Sequence, residues 1–231
     1  MRTPMQLLKD AFAIFTESPM LFLGIMIVPV MLSTVPQLIA PYGPENTVNI
    51  YEQINYIIAI VVMVVANIAM GIALILAVSN RSLGIFDIYR QVWPFFWRYL
   101  GLSILIGLTI VVGLIMLVIP GIVFAIWLCF ATFVLVLENG QIVDSMKRSR
   151  EYVRGRFFEV ALRLVVIGLV AIVVMVAFTG VATLIGSTLT TNGEMAANIG
   201  SSLISLVLSP VTLAYVYLMY QDIKSGEVAV V

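Results

Sequence analysis

Five cations crowd one short segment of the chain and could bind an anionic surface. They are Lys147, Arg148, Arg150, Arg154 and Arg156. One acid, Glu151, lies among them. Near a negatively charged membrane leaflet, each such cation contributes about 1 kcal/mol of attraction. We expect the segment to contact anionic lipid headgroups, or alternatively to dock a protein partner. A nucleic acid partner is not expected, because the basic patch is small and is flanked by apolar runs.

Two polar side chains lie inside apolar runs. Arg163 follows Glu159 by four residues, the favourable spacing and order for an ion pair on a helix, and its long side chain can reach the membrane surface. A structural role is favoured, although a charge within the membrane is also a functional candidate. Asn67 needs a polar partner on a neighbouring helix, which contributes about 0.6–2 kcal/mol to helix association. The alternative is a pore- or substrate-lining role at the level of Pro29 and Pro210, two prolines that would bend their helices.

The residue types give little support to catalysis. Among 231 residues there is no histidine, so the commonest metal ligand and general base is missing. The single cysteine, Cys129, excludes an intrachain disulfide. The glycines at 101, 107 and 113 are spaced for close helix packing and do not form a phosphate-binding loop. We therefore expect a protein that is not an enzyme and that needs no metal ion or organic cofactor.

Long apolar runs dominate the sequence and predict the fold. The chain is 62% hydrophobic and 10% charged, far outside the usual range of a soluble domain. A helix needs about 20 apolar residues to cross a hydrocarbon core about 30 Å thick. We predict an all-α fold, a single membrane domain over residues 1–231. Its six transmembrane helices are expected at residues 20–40, 54–78, 100–119, 122–137, 160–185 and 199–220. The third and fourth come from one uncharged run, and Pro120-Gly121 is predicted to form the tight turn between them.

The basic residues all lie on one side of the predicted membrane. Of the 12 lysines and arginines, 11 fall in the tails and in alternate connecting segments, and the twelfth, Arg163, lies one turn inside the fifth span from the same side. The other three connectors, at residues 41–53, 120–121 and 186–198, hold no basic residue. Because short basic loops stay in the cytoplasm during insertion, we expect a multi-pass protein of the cell membrane with both termini cytoplasmic.

An amphipathic segment precedes each odd-numbered span. These segments lie near residues 5–15, 83–99 and 142–157, the second with a less clean pattern, and we predict two or three interfacial helices there. In the last of them, Gly155 is predicted to turn the chain into the fifth span. The apolar residues of its predicted membrane face are Ile142, Met146, Val153 and Phe157. The threefold pattern has two interpretations, a true internal repeat or the shared constraints of a membrane.

One stretch of the chain has a familiar sequence. It contains Ile119-Pro120-Gly121-Ile122, an aromatic-rich run ending at Glu138, then Lys147-Arg148-Ser149 and Gly155-Arg156-Phe157-Phe158. This stretch, about residues 118–160, resembles the membrane domain that accompanies some bacterial glycerophosphoryl diester phosphodiesterases, and related free-standing six-span proteins of unknown function. The resemblance implies a helical membrane domain. It implies no phosphodiesterase activity, because the catalytic part of those enzymes is a separate soluble barrel.

Two functions from different classes remain open on these residues. The favoured one is a non-enzymatic membrane scaffold or accessory protein that contacts lipids and a membrane or cytoplasmic partner, which includes a second copy of the chain. The alternative is a small transporter or permease with a midplane site near Asn67, Pro29 and Pro210.

Overall fold

Helices make up the part of the chain that the computed structural model describes, which covers residues 2–39, 50–189 and 193–228. Within these ranges there is no strand, which confirms the all-α prediction. The helices are α1 (Pro4–Glu17), α2 (Pro19–Ile39), α3 (Ile50–Ser79), α4 (Ile85–Met116), α5 (Val118–Trp127), α6 (Ala131–Leu137), α7 (Ile142–Val153), α8 (Phe157–Leu189) and α9 (Gly193–Val228). Residues 40–49 and 190–192, which belong to the predicted outer connectors or border them, lie outside the described ranges.

Five helical segments are long and apolar enough to cross a membrane. They are α3, α4, α5 together with α6, α8, and α9. A sixth is obtained if the pair α1 and α2, which bends by 80° at Ser18, counts as one span. The chain is thus a multi-pass helical membrane protein.

The long helices form three hairpins that share a core at one end. The hairpins are α2–α3, α4–α5–α6 and α8–α9. The shared core comes from the first turns of α2, α4 and α8 and the last turns of α3, α6 and α9, with Phe22, Ile75, Ile88, Leu135 and Tyr215 among its buried side chains. We call this end, which carries Arg81, Arg98, Arg156 and Lys224, the basic end. Towards the other end the hairpins expose apolar surface, since only 6% of the apolar stretch of α8 is buried.

The turn between α4 and α5 lies at Leu117, so the prediction that Pro120-Gly121 forms it was wrong. Pro120 lies in the first turn of α5, where a backbone N–H has no partner within the helix. The N–H that proline lacks therefore costs no helical hydrogen bond. Gly121 packs against α4, because a Cβ atom there would lie 2.9 Å from the backbone nitrogen of Leu114. Gly113 packs back against Gly121 in the same way. These two glycines therefore let the hairpin close tightly.

Two of the three amphipathic segments form separate helices, α1 and α7, which agrees with the lower number predicted. The segment near residues 83–99 is not separate, because residues 85–99 continue without a break into the span as α4. Its Pro94 is accommodated inside the helix, and no cap or turn residue follows before Gly101. Helix α1 begins with a capping box between Thr3 and Gln6, which satisfies two N–H groups of its first turn.

Helix α7 packs on the bundle along its most buried side. Ser145, Ser149 and Val153 are fully buried there, and the predicted apolar residues Ile142 and Met146 are half-buried against the same core. The apolar face of α7 therefore contacts protein, which corrects the expectation of a face seated mainly among lipid headgroups. The predicted turn at Gly155 is confirmed, with φ at +85° between α7 and α8.

Candidate functional site

A break in the fourth span lies beneath the cationic helix. Between α5 and α6 the helical ladder is interrupted, and the N–H of Ala131 donates to the carbonyl of Leu128 and not to that of Trp127. The hydroxyl of Ser149 supplies hydrogen bonds in place of the interrupted ones. It accepts from the N–H of Phe130 at 3.2 Å and donates to the carbonyl of Trp127 at 2.7 Å. A single side chain of α7 thus satisfies two backbone groups that the break would leave without partners.

Two of the five predicted cations are engaged by the bundle itself. The guanidinium of Arg148 donates to Glu138 at 2.8 Å. That of Arg150 lies over the ring of Trp127, 4.5 Å from its centre, which is a cation–π contact. These contacts fix the orientation of α7 on both sides of its buried serines.

Glu138 is the centre of a polar cluster that joins three elements. Its carboxylate accepts from the hydroxyls of Tyr152 and Tyr220 at 2.9 and 2.5 Å, and from the ammonium of Lys224 at 2.9 Å. With Arg148, these residues form what we call the Glu138 cluster. Burial raises the pKa of Glu138, but the hydrogen bonds from its four partners outweigh burial and hold the pKa at about 2. The carboxylate is therefore charged at neutral pH and ties α7 and α9 to the end of α6.

The remaining three cations of the segment differ in their surroundings. Lys147 and Arg154 are exposed, and no ion pair joins either of them to the described part of the chain. Arg156 is half-buried, and its Nη1 atom is fully buried without a hydrogen-bond partner in the described ranges. Of the five predicted residues, two therefore make contacts within the protein, two are exposed, and Arg156 is half-buried.

Arg163 makes its contacts within the protein. Its guanidinium donates to Glu159 at 2.6 Å, which confirms the predicted pair, and also to the backbone carbonyl of Arg2 at 2.9 Å. The backbone N–H of Arg2 in turn donates to Asp222 at 3.1 Å. The start of the chain is thereby fixed to α8 and α9. Sequence reasoning missed Arg2 and Asp222, which lie 220 residues apart and share no local pattern.

Asn67 and Pro29 have different surroundings in the structure. Asn67 is exposed on α3, and its amide donates to the carbonyl of Met63 one turn earlier. Pro29 lines an apolar cavity of about 320 Å³ with Tyr89 and with α3 residues between Val61 and Ala69. Neither Asn67 nor Pro210 is among its lining residues. In the described ranges, no cluster of three or more His, Cys, Asp or Glu residues is placed to hold a metal ion.

Comparison with known proteins places the chain in a family. A family model described as a domain of unknown function, DUF7847, matches residues 54–223. The chain belongs to this family. The DUF7847 region includes the α5–α6 break, α7 and Arg163, but Arg2 and Lys224 lie outside it. No curated protein and no solved structure matches the chain. The comparisons name no phosphodiesterase membrane domain, and that resemblance stays a prediction.

Proposed function

We propose that the chain is a non-enzymatic protein of the cell membrane that binds anionic lipid on its cytoplasmic face and serves there as a scaffold or accessory protein. The basic end and both termini face the cytoplasm, as the distribution of basic residues favours. A membrane or cytoplasmic protein, or a second copy of the chain, is the partner that this surface recruits.

This proposal rests on how α7 packs on the bundle. Its buried serines, the Glu138 cluster and the contact with Trp127 hold the helix on the bundle, while Lys147 and Arg154 point outward with no internal partner in the described ranges. A cation held on a rigid element loses little side-chain and backbone entropy when it meets an anionic surface. Large exposed aromatic residues at the same end are typical of a membrane–water interface. These are Phe86, Trp93, Trp97 and Phe158.

Removal of the two outward charges tests the lipid contact. Full-length protein in liposomes of phosphatidylglycerol and phosphatidylcholine should enrich the anionic lipid around itself, measured by energy transfer from tryptophan to labelled lipid. The double variant Lys147→Gln/Arg154→Gln should lose most of that enrichment, since each cation is worth about 1 kcal/mol. The matched control, Lys9→Gln/Arg90→Gln, removes the same charge from two other exposed positions. Equal enrichment in both doubles would contradict a role for α7.

Cysteine labelling tests the orientation independently of lipid binding. In a background with Cys129 replaced, single cysteines at positions 90 and 147 should react only after the cells are permeabilised. Cysteines at positions 46 and 192 should react in intact cells. Labelling of position 147 from outside would reverse the proposed topology.

One observation favours the alternative of a small transporter, namely the cavity at Pro29. Its lining is apolar except for Tyr89, whose hydroxyl donates to the carbonyl of Ile25 at 2.8 Å. Such a cavity suits an apolar substrate. Val65→Phe should fill it and abolish uptake, whereas Asn67→Leu should leave uptake intact because Asn67 lies outside the lining. Uptake that survives Val65→Phe would count against the transporter.

A further inference from the structure

A second cavity lies where α8 begins and α9 ends. It has a volume of about 480 Å³ and is lined by Arg156, Asp222, Ser225 and Gly226. The Nη1 atom of Arg156 is buried beside it and makes no hydrogen bond to the described part of the chain. A buried charged donor without an acceptor is strongly unfavourable, and an occupant that accepts hydrogen bonds would relieve this cost.

The guanidinium packs against the backbone of α9. A Cβ atom at Gly226 would lie 3.0 Å from Nη1 of Arg156, closer than most side-chain contacts, and 3.4 Å from Nη2. Glycine at this position therefore lets the planar group pack against the helix. Arginine in a fixed plane offers two parallel N–H donors, the arrangement that matches two oxygens of a phosphate group.

The carboxylate in the cavity does not neutralise Arg156. Asp222 accepts from the backbone N–H of Arg2 at 3.1 Å and pairs with the guanidinium of Arg2 at 3.6 Å. No ion pair joins Asp222 to Arg156. Asp222 is thus engaged by Arg2, which also pairs with Asp10 at 3.4 Å, and Arg156 is left without an ion pair among the described residues.

The position of the cavity selects a lipid over a free ion. Arg156 directly precedes the membrane span of α8, and Phe158, two residues later, is 86% exposed. An exposed aromatic residue at a span end is typical of the headgroup level. A phosphate in the cavity would therefore stand where phospholipid headgroups lie, with acyl chains free to run along the exposed apolar side of α8.

We propose that Arg156 and its cavity bind the phosphate group of a single anionic phospholipid. This inference rests on the proposed lipid-binding function and gives it one discrete site, separate from the diffuse attraction of Lys147 and Arg154. Arg156 forms the paired hydrogen bonds, and Gly226 positions its guanidinium.

Native mass spectrometry of the full-length protein in detergent tests the site by counting bound lipids. Titration with dioleoyl phosphatidylglycerol should show one saturable lipid per chain. Arg156→Gln should weaken that site by about tenfold or more, as expected for loss of charged hydrogen bonds. Gly226→Ala should also weaken it by displacing the guanidinium, while the fold is kept because alanine favours a helix. Arg90→Gln, which removes an exposed charge on α4, should bind like the wild type.

Competing ligands distinguish the sources of phosphate. Dioleoyl phosphatidylcholine should bind more weakly, and millimolar inorganic phosphate should not displace phosphatidylglycerol. Equal binding of both lipids, displacement by inorganic phosphate, or unchanged binding in Arg156→Gln would each overturn the proposal. The Lys147→Gln/Arg154→Gln variant separates the two ideas, because it should keep the saturable site while losing bulk enrichment. If that variant keeps its enrichment and the single site is still present, the lipid contact through α7 on which the proposed function is argued fails, and the site stands.

Discussion

Ser149→Ala removes the hydroxyl that bridges the break between α5 and α6. The substitution would leave the N–H of Phe130 and the carbonyl of Trp127 without their partner at a buried position. A buried backbone group left unpaired costs about 1–3 kcal/mol. Two such groups, one of which can relax towards another acceptor, should together lower the free energy of unfolding by about 2–4 kcal/mol.

Ser145→Ala is the matched control. Ser145 lies one turn earlier on α7 and is as fully buried as Ser149, but its hydroxyl has no hydrogen-bond partner in the described ranges. Removing a buried polar group that makes no bond relieves its desolvation cost. This variant should therefore be neutral or slightly more stable, although both changes delete the same atom from the same face of one helix.

The measurement is reversible unfolding in mixed micelles of detergent and dodecyl sulfate, followed by tryptophan fluorescence. Trp127 stands at the break and contributes to this signal together with Trp93 and Trp97. The reasoning is refuted if both alanine variants shift the free energy of unfolding alike. It is also refuted if Ser149→Ala changes it by less than about 0.5 kcal/mol, the usual size of a surface effect.

Two further predictions concern the basic end and the α4–α5 hairpin. The depressed pKa of Glu138, about 2 against an ordinary 4.5, gives stability that is present above pH 4.5 and lost as the pH falls towards 2. The stability gap between wild type and Glu138→Gln should shrink over that window by at most about 3 kcal/mol, and by less because solvent screens the ion pairs; a gap that stays constant in acid unfolding would contradict this. Gly121→Ala should destabilise by about 1–3 kcal/mol through overpacking against Leu114. Gly107→Ala, with open space around it, should not destabilise; equal melting temperatures for the two variants would refute the tight hairpin.

The spans were predictable because their length and lack of charge leave few other structures. The position of the turn at Leu117 could not be predicted, because every residue from Leu114 to Ile119 is apolar and none is of a type that favours turns. The close packing of Gly113 on Gly121 decides it, and that is a contact between two helices. Sequence spacing also cannot show that Gly107, six residues earlier, faces open space.

In the candidate functional site, too, contacts between residues close in sequence could be predicted and contacts between distant residues could not. Glu159 and Arg163 are four residues apart, and their pair could be read from helical spacing. Glu138 and Lys224 are 86 residues apart, and no local pattern connects them. Ser149 was overlooked for another reason. Its partners are backbone groups, whose need for a hydrogen bond becomes visible only once the break in the helix is known.

The contacts of Arg2 can form only late in the synthesis of the protein. Its carbonyl is held by Arg163 of α8, and its N–H and guanidinium by Asp222 of α9. Arg2 is synthesised 161 residues before Arg163 and 220 residues before Asp222. It can therefore reach its final position only after α9 has been made, so this contact of the segment before α1 forms after all three hairpins have been synthesised.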